Sequence, residues 1–130
     1  MRTAIVGVGA QAANAYRLSL ETRGVVATNS ARTFADGMAV RVPDAGALEI
    51  IRRGAERVVE VTDDEIAEAI RILFTDTHNA SEGAGASALA ALMKERERLR
   101  GRKAAVILTG QNIDRPWMAA VLAGETPSIA

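Results

Sequence analysis

A chain of 130 residues is long enough for one domain with its own core and short for two. An apolar share of 48%, a charged share of 25% and a formal net charge of +0 fit a soluble globular protein and argue against disorder. They also give no basis for long-range attraction to nucleic acid or an anionic membrane. An aromatic content of 3% removes the stacking platforms of single-strand binders, and the absence of cysteine excludes disulfides and thiolate metal sites. No apolar run approaches the roughly eighteen residues of a membrane span, and the N-terminus has no secretory h-region, so the expected location is the cytoplasm.

In chain order, Thr3 to Gly9 is a short β-branched run closed by glycines and predicts a buried strand. Gln11 to Thr22 carries Ala12, Ala15, Tyr16 and Leu20 at helical spacing and should end near Gly24. Gly24 to Thr28 reads as a short extended piece. Thr33 to Val42 is ambiguous, with an Asp36-Gly37 turn before an alternating Met38, Val40, Val42 stretch. Asp44 after Pro43 can cap a helix that carries Leu48, Ile50 and Ile51 and stops at Gly54.

Glu56 to Val61 predicts a second strand. Thr62 to Glu65 forms a capping box, opening a helix through Ile66, Ile70 and Leu73 to about Asn79. Ser81 to Met93 is rich in alanine and glycine and predicts a helix that packs closely on its neighbours. Its continuation, Lys94 to Arg102, is dense in mixed charge. Lys103 to Thr109 predicts a third strand buried on both faces, and Arg115 to Leu122 a last helix. Alternating strands and helices argue for one α/β domain over residues 1–130, with three layers and a mostly parallel sheet between helices.

Two patterns bear on chemistry. Gly7, Gly9 and Ala12 after an N-terminal strand match the glycine pattern of dinucleotide-binding folds, in which a pyrophosphate approaches a helix N-terminus. The acidic ribose partner is missing: Thr28, Asn29 and Arg32 stand near its offset, and no acid follows until Asp36. A plain strand-to-helix turn accounts for the same glycines. The second pattern has three parts: Thr33 to Val40, His78 to Ala86, and Ile107 to Asp114.

In this order and spacing the three parts resemble the C-terminal half of the catalytic domain of the pyridoxal-phosphate (PLP) dependent serine/threonine dehydratases, a fold-type-II family. The opening Ile5 to Tyr16 is similar to that family's corresponding strand and helix, so the likeness runs from about Ala4 to Leu122. It implies that Thr109 offers a hydroxyl to the pyridine nitrogen of PLP, and that Gly37, Glu82 and Gly110 line the cofactor site. A hydroxyl is too weakly basic to keep that nitrogen protonated, which suits loss of a β-hydroxyl over transamination. Read without the resemblance, Thr109 ends a buried strand, Gly37 makes a turn and Glu82 sits favourably at a helix N-terminus.

Departures from the family pattern narrow the expectation. Gln111 replaces a glycine, and Gly9 stands where some members place an acidic metal ligand, so no metal site is implied. His78, the only histidine, fits a structural or capping role. A PLP enzyme also needs a lysine and a glycine-rich phosphate cradle. The chain has two lysines, Lys94 in a charged helix end and Lys103 at a strand start, neither in a setting that desolvates an amine. The implied protein is therefore part of a threonine/serine ammonia-lyase, inactive alone and without a catalytic residue of its own. It should self-associate or pair with a lysine-bearing N-terminal segment, and bind neither nucleic acid nor membrane. A small dinucleotide-binding domain and a non-catalytic interaction remnant are the alternatives.

Overall fold

The computed structural model describes residues 3–129. Two strands, β1 (Val6–Ala10) and β2 (Arg57–Val61), pair in parallel, with Val6 opposite Arg57 and Ala10 opposite Val61. The connection between them carries helices α1 (Ala15–Thr22) and α2 (Ala45–Gly54). After β2 come α3 (Asp63–Thr77), α4 (Gly83–Lys94) and α5 (Arg115–Leu122).

Successive side chains of a strand point to opposite faces, and that alternation builds the layers. Val8, Val59 and Val61 pack with the core that α3 and α4 build, while Gly7, Gly9, Val58 and Glu60 line the face toward α1 and α2. The core lies on the α3/α4 side and gathers Phe34, Val61, Ile66, Ile70, Ala86, Ala90 and Val121. Burying each large member stabilises the fold by roughly 1.5–3 kcal/mol. The alanines at 86, 90 and 91 let α4 approach α3 and the sheet closely. Helices thus cover both faces of a parallel sheet, as the alternating pattern implies.

Local signals decide the helix ends. The Asp44 side chain accepts from the Ala47 amide at 2.7 Å and starts α2. At α3 the Thr62 hydroxyl accepts from the Glu65 amide at 3.1 Å, and Glu65 accepts from the Thr62 amide at 2.8 Å. A cap of this kind contributes about 1 kcal/mol. His78 closes α3 in the left-handed conformation at φ 58°, with its amide bonded to Phe74 and its ring nitrogen Nδ1 3.3 Å from the same carbonyl.

Several expectations are corrected. Gln11–Ala13 forms a 3-10 turn, so the first helix starts later, at Ala15; it ends at Thr22, with Arg23 left-handed as its cap, near Gly24 as expected. Gly24 to Thr28 joins no sheet, its Val26 amide bonding the buried Ser19 hydroxyl at 2.8 Å, and the ambiguous Thr33 to Val42 stretch resolves into a 3-10 turn at Asp36–Met38. The largest correction concerns Lys103 to Thr109. This stretch forms no helix or strand and is unpaired among the described residues, and it is largely exposed, with Ile107 at 75% of its full accessibility. A strand is defined by its neighbours, and among the described residues no second backbone takes its amides and carbonyls.

Candidate functional site

Three separate stretches meet at the N-terminus of α4, and glycines make the meeting possible. A Cβ on Gly83 would stand 2.8 Å from the Ala35 Cα, so the 33–37 loop lies flush on the helix. A Cβ on Gly85 would stand 2.5 Å from the Gly110 carbonyl oxygen, so the 109–111 turn lies equally close. That carbonyl accepts from the Glu82 amide at 3.1 Å, satisfying one of the donors that a helix start leaves free.

The four residues singled out from the sequence fall on one surface. Gly37 abuts Ala84, where an added Cβ would come within 3.0 Å of the Ala84 Cβ. Glu82 precedes α4 and folds over Gly110, where a Cβ would collide with Glu82 Oε1 at 2.3 Å. Thr109 is exposed next to Gly110. Glu82 holds the N-cap position yet makes no side-chain cap bond, and among the described residues neither its carboxylate nor the Thr109 hydroxyl has a hydrogen-bond partner. Two uncommitted polar groups therefore flank a wall of small residues.

Supporting contacts that composition does not reveal hold the wall. The buried Ser81 hydroxyl reaches the Gly110 carbonyl at 3.4 Å, and Gln111 Nε2 donates to Asn79 Oδ1 at 3.3 Å. The departure at Gln111 thus ties the turn to the loop before α4. Asp63 Oδ1 accepts from the Thr33 hydroxyl at 2.5 Å, and Oδ2 from the Phe34 amide at 3.3 Å. Asn79 and Gln111 stand within the motif stretches, whereas nothing beside Asp63 in the sequence points to Thr33.

The lysines are not brought to this surface. Lys94 ends α4, about 18 Å from Glu82 at 1.5 Å per residue, and its ammonium pairs with Glu65 Oε2 at 3.1 Å. Lys103 is exposed at the start of the unpaired stretch. Among the described residues no three His, Asp or Glu side chains gather as a metal cage.

A cavity of about 450 Å³ lies elsewhere, between the sheet and helices α1 and α2, and shares only Gly37 with the cluster. Its walls, among them Val40, Ile51 and Val58, are mostly apolar, with Asn14, Tyr16 and the Arg17–Glu60 ion pair, Nε to Oε1 2.8 Å, as polar members. That pair, with Glu21, holds the Arg17 pKa above its ordinary value, the Glu60 carboxylate being the larger cause. Gly7 and Gly9 line this cavity from inside β1, paired opposite Val58 and Glu60, instead of forming a turn at a helix start. The phosphate-facing geometry of the dinucleotide pattern is not present there.

The fold is an open α/β architecture whose small residues and free polar groups meet at a helix start, and comparison with known proteins gives its class. Residues 2–110 match the family described as pyridoxal-phosphate dependent enzyme, and the chain belongs to that family. It is 36% identical over 116 residues to the phenylserine dehydratase of Ralstonia pickettii, covering 88% of this chain and 36% of that protein. It is 38% identical over 118 residues to the L-threonine ammonia-lyase of Geobacter sulfurreducens, covering 91% of this chain and 29% of that one. The processed threonine deaminase isoform 2 of Solanum lycopersicum superposes with a TM-score of 0.86 at 30% identity, over 94% of this chain and 35% of its own. The chain thus spans about a third of the length of these relatives.

The Thr109 hydroxyl and the Glu82 carboxylate are the free polar groups of the cluster among the described residues, and Gly37 lies so near Ala84 that an added Cβ would come within 3.0 Å of the Ala84 Cβ. No amine and no phosphate cradle join the cluster among the described residues.

Proposed function

We propose that this chain forms the ring-nitrogen side of the cofactor site in an ammonia-lyase acting on serine- or threonine-type β-hydroxy amino acids. The observation that carries the reading is the convergence of Gly37, Glu82 and Thr109–Gly110 on the start of α4. When bound, PLP supplies the electron sink for the elimination. The chain's own part is to hold and orient. Thr109 donates its hydroxyl hydrogen to the ring nitrogen without charging it, Gly37 and Ala84 form a wall beside the ring, and Glu82 Oε1 offers an acceptor at the same edge. The relatives named for phenylserine and L-threonine support a β-hydroxy amino acid as substrate.

The chain alone does not carry out the elimination. Lys94 is engaged with Glu65 at the far end of α4, and Lys103 lies outside the cluster, so neither amine reaches a ring held by Thr109. Activity requires a lysine-bearing segment, which the exposed Ala104 to Leu108 stretch can receive as a neighbouring strand.

The test is a titration of the isotope-labelled 130-residue chain with pyridoxine 5′-phosphate, which has the ring and phosphate but no aldehyde to react with surface lysines. Saturable amide shifts at Gly37, Glu82, Thr109 and Gly110 are expected, weakened about tenfold in Thr109→Val, in keeping with the loss of one hydrogen bond. Shifts confined to residues of the apolar cavity would refute the site. Production of 2-oxo acid from serine or threonine by the chain alone would refute the requirement for a second segment.

A further inference from the structure

We propose that Asp63 and Thr33 act as a positioning pair for the Gly37 wall, an inference that rests on reading that wall as cofactor-facing. Asp63 is the first residue of α3, where an acid is expected to serve the helix. The capping work is nevertheless done by its neighbours: Thr62 and Glu65 exchange the two bonds of the capping box. The Asp63 carboxylate is turned instead to a loop thirty residues upstream.

There both oxygens are used. Oδ1 accepts from the Thr33 hydroxyl at 2.5 Å and Oδ2 from the Phe34 amide at 3.3 Å. Among the described residues Asp63 forms no ion pair, so loop donors alone engage it. Thr33 then passes the constraint on: its hydroxyl oxygen accepts from the Ala35 amide at 3.1 Å. The Ala35 carbonyl accepts from Met38 at 2.9 Å, and the Asp36 side chain from the Gly37 amide at 2.8 Å. Three successive bonds run from the start of α3 through Thr33 and Ala35 to Met38, and the intervening Asp36–Gly37 bond fixes the glycine within the same turn.

The relay acts in a tight space. Thr33, Phe34 and Ala35 are each at most 1% exposed, and Ala35 lies under Gly83 so closely that a Cβ there would stand 2.8 Å from its Cα. A loop released from Asp63 has to shift away from α4, and Gly37 moves with it relative to Ala84. Phe34 also meets Trp117 edge-on, with ring centroids 6.1 Å apart, so the only tryptophan reports on the same loop.

The experiment compares Thr33→Val, Thr33→Ser and Asp63→Ala in the full chain, reading hydrogen exchange at the Phe34 and Ala35 amides, Trp117 emission and the dissociation constant for pyridoxine 5′-phosphate. Thr33→Val keeps the volume and removes the hydroxyl. It should speed exchange at those two amides and raise the dissociation constant about tenfold, the loss of one hydrogen bond to a charged group, with β1 and β2 amides unchanged. Thr33→Ser should restore both readouts, which a purely space-filling role would not do. Should Asp63→Ala not fold, the Thr33 variants carry the comparison. Loop amides that stay protected in Thr33→Val, or a loosened loop that binds the probe as tightly as before, would overturn the pair. A wild-type chain with no saturable shift at Gly37 would overturn the cofactor reading on which the pair rests.

Discussion

Replacing Gly85 by alanine tests whether the site is built by close backbone approach. In an open helix this change stabilises, because alanine has a better helix propensity by about 1 kcal/mol. Here the new Cβ would stand 2.5 Å from the Gly110 oxygen, 2.9 Å from its nitrogen and 2.9 Å from Ser81 Oγ. Two of those atoms are backbone and cannot swing aside, so the 109–111 turn has to retreat from α4. Overpacking of this kind costs about 1–3 kcal/mol. The retreat also weakens the bond from the Glu82 amide to Gly110, worth about 1 kcal/mol. After the propensity gain, the net loss is about 1–3 kcal/mol, or roughly 3–15 °C in melting temperature for a chain of this length. Gly54→Ala is the control: it ends α2 with nothing within 4 Å of its Cβ, and should be neutral or stabilising by about 0.4–1 kcal/mol. Thermal unfolding followed by circular dichroism decides it. A Gly85→Ala chain that melts at or above the wild-type temperature would refute the close approach.

Other expectations follow from the same geometry. Arg57, hydrogen-bonded and paired to Glu95, holds that carboxylate below its ordinary 4.5, so the stability it contributes is present above about that pH and is lost as pH falls through the lowered value. Glu95→Gln should cost about 1 kcal/mol at neutral pH and progressively less as pH falls below 4.5, measured by urea unfolding across that range. The exposed Ala104 to Leu108 stretch, with Ile107 bare, should make the chain associate at micromolar concentration. A concentration-independent monomer mass in sedimentation equilibrium would contradict that. NAD or NADP should bind no better than about millimolar, since Gly7 and Gly9 lie within β1 and no acid stands at the ribose position; a micromolar calorimetric titration would reverse this ordering.

Much of this architecture was legible in the sequence because its causes are local. Asp44, Thr62 with Glu65, and the apolar spacing of α3 and α5 act through bonds and contacts within a few residues, and the helices begin where those residues stand. The β-branched run at Arg57–Val61 likewise forms a strand whose faces follow from the two-residue period. The order of the three motif stretches was enough to name the family and to single out Gly37, Glu82, Thr109 and Gly110.

What tertiary structure alone decided depends on groups far apart in the chain. Lys103 to Thr109 has the composition of a buried strand, yet pairing needs a second backbone, and none lies beside it among the described residues. Composition records what a segment can do; the partner determines whether it does. Gly7 and Gly9 show the same limit from the other side. Their pattern suits a phosphate turn, but the ladder with Val58 and Glu60 extends β1 through them. The links from Asp63 to Thr33 and from Gly85 to Gly110 were invisible for a plainer reason. Each joins residues some twenty-five to thirty positions apart, and only the packing of α4 against both loops brings them within bonding distance.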